Sequence, residues 1–468
     1  NIPKLLVTSV PFIKLKNTSE ILFFICYLGV YFSLPEVSGQ MFSGRPRPEN
    51  VQVTAENQYE CLTKRITPYH NKSYERELEL KQSSAWKVVS TIKERLLLLG
   101  TEIPDFPVER IIPSPEINQY RNKDDFSVYY GVDGSNTTVG YLTGTPSLPG
   151  CVAVPPTHLT HIKDSHKRLA SLFEDYIKKS LHRVCYHFRG GGFWKRLSVR
   201  SNEAGDLMAI IITHPYALTT DQMAQERLNL TQYFIRHEPN IVLYHQECAK
   251  VDCSNDVASY TQLAGESPCL MEKMGNFTFQ ITSHSFFQVN KRAAEQMVDS
   301  IWNWMNVTTE TTFVDLYSGV GLYSIMGSHL VNNSVGIEML EGAVSDARKN
   351  AELNNITNCE FIAGRVEDNL SHVLKKTFSQ AKQVLALLNP GRAGATKRVI
   401  TLLREDKRIR KLIFVACKPD NRFTMSNFIQ LCRKGGHLRG TPFHIKTVRL
   451  FDLFPRTLHY EMILEFNR

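Results

Sequence analysis

Residues 312–326 read TFVDLYSGVGLYSIM, and this stretch decides the fold prediction because an apolar strand runs through a glycine turn into an apolar helix. Gly319 and Gly321 allow the backbone to turn tightly and to approach a ligand where a side chain would clash. We therefore expect the carboxyl end of this strand to lie at a sheet edge where a ligand binds.

From residue 291 onward, the sequence around this turn alternates between short apolar strands and helices. Such alternation predicts a parallel sheet with helices on both faces, and two final strands without a helix between them predict an antiparallel pair at the edge. The fold class is α/β, with a Rossmann-like C-terminal domain. The expected strands are 312–316, 334–337, 360–363, 384–388, 412–416, 446–450 and 460–466, and the expected helices include 291–305, 342–354, 396–405 and 424–434.

The upstream sequence predicts a smaller α+β domain with antiparallel strands over residues 105–284, preceded by a helical segment at 71–104. Residues 285–468 are expected to form the larger domain, and residues 1–70 a variable extension. The apolar run at 21–32 is shorter than the about 20 residues of a membrane span. A targeting or anchor segment and an unstructured tail therefore both remain open for the extension.

The composition excludes a disordered, fibrous or disulfide-rich protein and favours a polyanionic partner. The 468 residues are 42% hydrophobic and carry a formal net charge of +9, which is enough apolar material for a buried core. Residues 285–468 hold 25 basic and 17 acidic side chains. The ten cysteines include no Cys-x-x-Cys pair, so neither a zinc ribbon nor an iron–sulfur cluster is expected. We expect the cysteines to be reduced thiols.

A carboxylate at the end of the next strand indicates an adenosine-type ligand. Glu338 follows Asp315 by 23 residues, a spacing at which it can accept both ribose hydroxyls. Ser324 stands where a dinucleotide-binding turn has its third glycine, so a ligand such as S-adenosylmethionine fits better than NAD. The alternative is a plain glycine turn with a surface carboxylate.

Cys417 ends the apolar strand 412–416, at the sheet edge where ligands bind in open α/β folds. Lys418 beside it is placed to lower the thiol pKa and favour the nucleophilic thiolate. The alternative is a plain buried thiol, which is a common fate of cysteine.

Five segments follow one another along the C-terminal part of the chain, and they read SFFQVN (285–290), DLYSGVG (315–321), LNPGRAG (388–394), VAC (415–417) and DLFPRTLHYE (452–461). In this order they resemble the RNA uracil-5-methyltransferases. The resemblance covers 285–468 strongly and extends more weakly to 112–123 and 190–196. It is nearest to the animal mitochondrial branch of that family.

The resemblance implies that Cys417 is the nucleophile and that Glu461 is the proton acceptor. Thiolate addition at carbon 6 of uracil makes carbon 5 nucleophilic, and a base then removes the carbon-5 proton. Phe286 or Phe287 is a candidate to stack on the target base, and a role in the hydrophobic core is the alternative for either. Arg392 is a candidate to touch RNA or to cap its loop. The residues expected to bind the cofactor S-adenosylmethionine are Gln288, Tyr317, Gly319, Glu338 and Asn389.

The resemblance also implies an RNA substrate, with the tRNA T-loop first and rRNA second, a mitochondrial location, and a monomer without a stable protein partner. No metal ion is expected. The basic run 397–411 is a candidate for phosphate binding, although a solvated helix face explains it equally well. Asn389 stands where bacterial members usually have Asp, so its contact to the donor is expected to be a neutral hydrogen bond.

Three other functions remain open. An amino-methyltransferase has a similar Asn-Pro loop. It typically has an aromatic residue at the position of Arg392, however, and its reaction needs no cysteine. A cytosine-5-methyltransferase also uses a thiol. A catalytically silent RNA-binding or folding factor would keep the scaffold without its chemistry.

Overall fold

The computed structural model describes residues 52–144, 150–185, 192–215, 218–249, 260–435 and 439–468. The expectations for residues 1–51, including the apolar run at 21–32, lie outside the described residues. Residues 53–468 form one compact unit, and the domain boundaries within it stay predictions. None of the described helices combines the length and the apolar sequence that a membrane span requires.

The upstream half contains a seven-stranded sheet in the order β3-β2-β1-β4-β5-β6-β7. Its elements are α1 (Gln58–Ile66), α2 (Tyr74–Leu98), β1 (Lys123–Tyr130), β2 (Thr137–Thr143), β3 (Val152–Val154), α3 (Asp164–Ile177), β4 (Trp194–Ser201), β5 (Leu207–Thr213), α4 (Thr220–His237), β6 (Val242–Glu247) and β7 (Tyr260–Ala264). Neighbouring strands are antiparallel, as expected, except for β5 and β6, which are parallel and are joined through α4. Two parallel strands need such a crossover connection because a tight turn can join only antiparallel strands.

The C-terminal half begins with a hairpin and continues as alternating strands and helices. Its elements are β8 (Cys269–Met274), β9 (Phe277–Thr282), α5 (Lys291–Met305), β10 (Thr312–Leu316), α6 (Leu322–Met326), β11 (Asn333–Glu338), α7 (Glu341–Leu353), β12 (Cys359–Ala363), α8 (Val366–His372), β13 (Val384–Leu388), α9 (Lys397–Glu405), β14 (Ile409–Ala416), α10 (Arg422–Cys432), β15 (His444–Phe451) and β16 (Glu461–Asn467). A 3₁₀ turn at Ser328–Leu330 and a π-helical turn at Val373–Thr377 follow α6 and α8.

The larger sheet has the order β12-β11-β10-β13-β14-β16-β15. Strands β12 to β14 are parallel, whereas β16 is antiparallel to both β14 and β15. This confirms the α/β fold class, with a Rossmann-like C-terminal domain behind an α+β half. The expected antiparallel edge pair is also confirmed.

Helices cover both faces of the larger sheet, which is why its strands are continuous apolar runs. Along β13, Val384, Ala386 and Leu388 enter a core shared with α2, α8, α9 and α10, whereas Leu385 and Leu387 enter the opposite core. That opposite side, covered by α5, α6, α7 and the β8–β9 hairpin, is called the α5 face below. The alternation of side chains along a strand places the next odd position, 389, towards the α5 face.

Helix α2 ties the upstream half to the loop between β15 and β16. The Lys81 ammonium, fully buried, lies 2.6 Å from Glu77 and 2.7 Å from Asp452. The Tyr74 hydroxyl donates a hydrogen bond to the other oxygen of Asp452 at 3.0 Å. Breaking a buried ion pair typically costs about 3–5 kcal/mol, so these contacts hold the chain that leads into β16.

The cysteines differ in part from the expectation of reduced thiols throughout. Cys248 is disulfide-bonded, and spacing along the chain does not reveal such a pairing. The free cysteines of the described residues are Cys61, Cys151, Cys185, Cys269, Cys359, Cys417 and Cys432.

Candidate active site

The glycine turn after β10 lies at the carboxyl edge of the larger sheet, beside the ends of β11 and β13. Tyr317, Gly319 and Gly321 have positive φ angles of 67°, 55° and 84°. A Cβ atom at Gly319 would meet open space, whereas one at Gly321 would lie 2.7 Å from the Phe361 ring. Gly321 is therefore required for packing, and Gly319 leaves room for a ligand.

Glu338 is fixed against this turn at the end of β11. One carboxylate oxygen accepts a hydrogen bond from the Gly319 backbone N–H at 3.1 Å, and the other accepts one from the Leu340 N–H at 2.9 Å. Carboxylate oxygens have further lone pairs, so both remain able to accept hydroxyl donors from a ligand. The structure thus brings together the two features that the sequence linked to a ribose.

A small pocket opens beside the turn. Four of the expected cofactor-binding residues line it, and Glu338 borders it through its bond to Gly319. The lining residues are Phe286, Phe287, Gln288, Tyr317, Ser318, Gly319, Val320, Leu322, Tyr323 and Asn389. Which of these residues bind a ligand stays a prediction.

The segment 285–290 reaches this pocket because the upstream half holds it there. The Asn122 side chain donates to the Gln288 carbonyl at 2.8 Å, and the Asn122 N–H donates to the Val289 carbonyl at 2.9 Å. Asn290 caps α5 by accepting from the Ala293 N–H at 3.2 Å. The upstream half is therefore part of the scaffold of the pocket.

Cys417 and Glu461 meet at the end of the β14–β16 pair. Ala416 is registered opposite Met462, and Cys417 and Glu461 are the next residues outward on the two strands. Side chains at facing positions of an antiparallel pair point to the same side of the sheet. That side is the α5 face, since Val415 and Ile463 both pack there.

The environment of Glu461 favours its neutral form. The residue is 3% exposed, and its burial raises the pKa of the carboxyl to about 8. The cause is desolvation, which penalises the charged form. A carboxyl group with such a pKa can hold or release a proton near neutral pH.

The Cys417 thiol is half-buried and is influenced by two charged neighbours. Burial raises its pKa, the Glu461 carboxylate raises it further, and the hydrogen-bonded Arg392 guanidinium lowers it. The sequence predicted that Lys418 would lower the pKa of the thiol, but in the structure the cation that does so is Arg392. The reason is that loop 389–395 brings Arg392 across from the neighbouring strand, a contact that adjacency in sequence does not show.

Asp315 is fully buried under the glycine turn. One of its oxygens accepts hydrogen bonds from the Ser324 N–H at 3.3 Å and from the Ser324 hydroxyl at 3.0 Å. Burial raises its pKa to about 7. Ser324, noted in the sequence only as a missing glycine, therefore secures the turn to the strand.

The basic run 397–411 is only partly available to a polyanion. Arg404 is buried and donates to backbone carbonyls, the nearest at 2.5 Å. Arg408 pairs with Asp406, and Lys411 donates to the Met305 carbonyl at 2.8 Å. Lys397, Arg398, Lys407 and Arg410 are exposed.

The lining of the pocket fits S-adenosylmethionine chemically. Val320 and Leu322 offer apolar surface for an adenine ring, and Gly319 leaves a cradle that a Cβ would fill. The buried Ser318 hydroxyl has no hydrogen-bond partner within the described residues. Across those same residues, no group of three or more His, Cys, Asp and Glu side chains is arranged to hold a metal ion.

The strand order, the glycine turn and the pocket define a Rossmann-like methyltransferase. The family model for tRNA (uracil-5-)-methyltransferases matches residues 268–468. The tRNA (uracil-5-)-methyltransferase homolog B of Danio rerio is 35% identical, over 87% of this chain and 87% of the relative. The Homo sapiens homolog A is 31% identical, over 86% of this chain and 67% of the relative. The chain belongs to the tRNA (uracil-5-)-methyltransferase family and is an enzyme of that class.

A solved structure shows the same fold. The crystal structure of Pyrococcus abyssi tRNA (uracil-54, C5)-methyltransferase in complex with S-adenosyl-L-homocysteine has a TM-score of 0.60 and 20% identity to this chain. It covers 84% of this chain and 82% of the archaeal one. The similarity extends over both halves of the molecule, since neither half alone accounts for that coverage.

Proposed function

We propose that this protein methylates carbon 5 of uridine in structured RNA, with the tRNA T-loop as the first candidate substrate and rRNA as the second. The observation that carries the proposal is the meeting of Cys417 and Glu461 at adjoining strand ends, on the side of the sheet where the pocket opens. Membership of the family supports the choice of uridine. The solved relative that contains S-adenosyl-L-homocysteine supports the choice of methyl donor.

The Cys417 thiolate adds to carbon 6 of the uracil ring and forms a carbon–sulfur bond, which moves the electron pair of the 5,6 double bond towards carbon 5 and the carbon-4 carbonyl. S-adenosylmethionine, when bound, supplies an electrophilic methyl group. Glu461 accepts the proton that carbon 5 must lose. The double bond then forms again, and the Cys417 thiolate leaves with the electron pair of the carbon–sulfur bond.

The protonation state of Glu461 suits both stages of the reaction, the addition of the thiolate and the removal of the proton. While its carboxyl is neutral, it does not raise the pKa of the neighbouring Cys417 thiol, and Arg392 can stabilise the thiolate. Once ionised, a carboxylate with a pKa of about 8 is a stronger base than an ordinary glutamate. General bases act best when their pKa is near the working pH.

The cofactor would be held by the residues around the glycine turn. Glu338 is placed to accept the ribose hydroxyls, and Gly319 leaves the backbone open to the ligand. Gln288 and Asn389 offer neutral amide groups to the polar end of the donor, and Tyr317 offers an aromatic face. Each of these roles is a proposal of ours.

Phe286 is the residue that we assign to the target base. It is 65% exposed at the pocket, whereas Phe287 is 3% exposed and packs in the core of the α5 face. An exposed aromatic ring at the pocket gives a flipped base a stacking partner, a contact worth about 1–3 kcal/mol. A uridine must leave its stack for the thiol to reach carbon 6.

The test is methylation of unmodified tRNA and rRNA transcripts with labelled S-adenosylmethionine, followed by mass spectrometry of the nucleosides. We expect 5-methyluridine from the wild type and none from Cys417→Ala. The matched control is Cys432→Ala, which changes a buried thiol in the core on the opposite side of the sheet. Formation of 5-methylcytidine or a methylated amine would identify one of the alternative chemistries. No transfer to any RNA by the wild type would favour a silent scaffold.

The mitochondrial location, the monomeric state and the absence of a stable protein partner remain proposals that rest on the resemblance. Imaging of the full-length protein in cells, with light scattering of the purified protein, tests them. A nuclear signal or a dimer would contradict them.

A further inference from the structure

Tyr323 stands in the first turn of α6, directly after the glycine turn, and lines the pocket. It is 3% exposed, and its hydroxyl has no hydrogen-bond partner within the described residues. A buried hydroxyl without a partner is unfavourable, because it has given up its hydrogen bonds to water without replacing them. Such a group in a native site requires an explanation, and a partner that is created during the reaction provides one.

Tyr323 lies on the same side of the sheet as the proposed base. Its ring packs in the core of the α5 face together with Val415 and Ile463. Cys417 and Glu461 lie two residues beyond these two, at the same side of the sheet. Burial and then the Glu461 charge raise the pKa of the Tyr323 hydroxyl well above its usual range, so this hydroxyl stays protonated and is a hydrogen-bond donor.

We propose that the Tyr323 hydroxyl donates a hydrogen bond to the Glu461 carboxylate when Glu461 ionises, and so orients it for removal of the carbon-5 proton. Tyr323 is then a positioning residue that acts through Glu461. This inference rests on the function proposed above and adds the element that allows a deeply buried carboxyl group to become charged. A hydrogen bond to the charged form favours that form.

The other charged groups around Glu461 do not supply this donor. Arg392, on loop 389–395, is hydrogen-bonded to Cys417. Asp315, on β10, and the Cys417 thiolate, at the end of β14, would both oppose a second negative charge. Asp452, which follows β15, is already paired with Lys81 at 2.7 Å.

The decisive variant is Tyr323→Phe, which removes the oxygen and keeps the ring. Without the donor, the pKa of Glu461 in the complex rises, so the acid limb of the pH profile for 5-methyluridine formation should move to higher pH by about one unit. At pH 7 the rate should fall by roughly 10-fold, and it should recover above pH 9. Tyr244→Phe is the matched control, because Tyr244 is also buried and its hydroxyl donates to the Pro268 carbonyl at 2.8 Å, away from the site.

Two further measurements separate positioning from a structural role. Trapping on 5-fluorouridine RNA needs Cys417 but no proton removal, so Tyr323→Phe should form the covalent adduct within about twofold of the wild-type yield. Its melting temperature should equal or exceed that of the wild type, because an unsatisfied buried hydroxyl is lost. If Tyr323 had only a structural role, Tyr323→Phe would lower both the adduct yield and the melting temperature.

An unchanged pH profile of Tyr323→Phe overturns the inference, as does a parallel loss of adduct formation or a change confined to KM for S-adenosylmethionine. These results leave the proposed function intact as long as the wild type makes 5-methyluridine. If the wild type forms neither 5-methyluridine nor an adduct, the proposed function itself has failed.

Discussion

Cys417 and Glu461 are 44 residues apart in the chain, yet they occupy the positions directly beyond the Ala416–Met462 pair of two antiparallel strands. The hydrogen bonds of β14 and β16 fix this relationship, so it does not depend on a flexible loop. On its other side, Glu461 is registered with Phe451 of β15. A nucleophile and a base built on paired strands are held more accurately than the same groups on loops.

Glu461→Gln should stop the reaction after addition. Gln keeps the shape of the side chain but cannot take the carbon-5 proton, so 5-methyluridine formation should fall by about 100-fold or more. A covalent complex of protein and natural tRNA should accumulate in the presence of S-adenosylmethionine, visible as a band of reduced mobility on a denaturing gel. Glu360→Gln, an exposed change on β12, is the control. Normal turnover by Glu461→Gln would show that another group is the base.

Arg392→Gln should slow the addition of Cys417 to the uracil ring rather than the removal of the carbon-5 proton. Because Arg392 lowers the Cys417 pKa, which burial and Glu461 raise, its loss should reduce adduct formation at pH 7 by about 10-fold and shift the alkylation profile of Cys417 to higher pH. The measurement is iodoacetamide labelling followed by peptide mass spectrometry. Lys418→Gln is the matched control, and an effect of Lys418→Gln equal to that of Arg392→Gln would contradict the assignment of the cation.

The stability of the protein without ligands should fall as the pH rises from 5.5 to 8.5. In the folded state the pKa of Glu461 is about 8, against an ordinary value of 4.5, and that of Asp315 is about 7. Between these values the folded state binds more protons than the unfolded state, so the free energy of unfolding decreases with pH. The loss should be on the order of 5 kcal/mol, and Glu461→Gln should reduce it. Denaturant unfolding at both pH values measures this difference, and a flat profile for the wild type would refute the burial effect.

Gly319→Ala and Gly321→Ala should separate binding from folding. Both residues have positive φ angles, so each substitution introduces about 1–2 kcal/mol of backbone strain. A methyl group at Gly319 enters open space at the pocket and should weaken S-adenosylmethionine binding. A methyl group at Gly321 meets the Phe361 ring at 2.7 Å and should lower the melting temperature further. Calorimetric titration measures the binding of S-adenosylmethionine, and thermal unfolding measures the melting temperature. If the two variants change both quantities equally, Gly319 and Gly321 do not have the separate roles assigned to them here.

The sequence predicted much of the fold because its signals are local. The strand, glycine turn and helix of residues 312–326 fall at β10 and α6, and the expected strand 384–388 coincides with β13. The parallel β5–β6 pair was missed because the pairing partner of a strand is a long-range choice. The roles of Arg404 and Arg408 were missed for a similar reason, since their carbonyl and carboxylate partners appear only once the helix is packed.

By itself, the sequence determined the strand–turn–helix unit, the acid at the next strand end and the thiol at a sheet edge, because periodicity and glycine conformation act over a few residues. Only the tertiary structure decided that Arg392 rather than Lys418 faces Cys417 and that Phe286 is exposed while Phe287 is buried. It also decided that Tyr323 lines the pocket with a hydroxyl that has no partner among the described residues. Burial and the approach of side chains depend on which strands pair and which loops cross them. The cost of desolvating Glu461, and with it a pKa near neutral, therefore exists only in the folded chain.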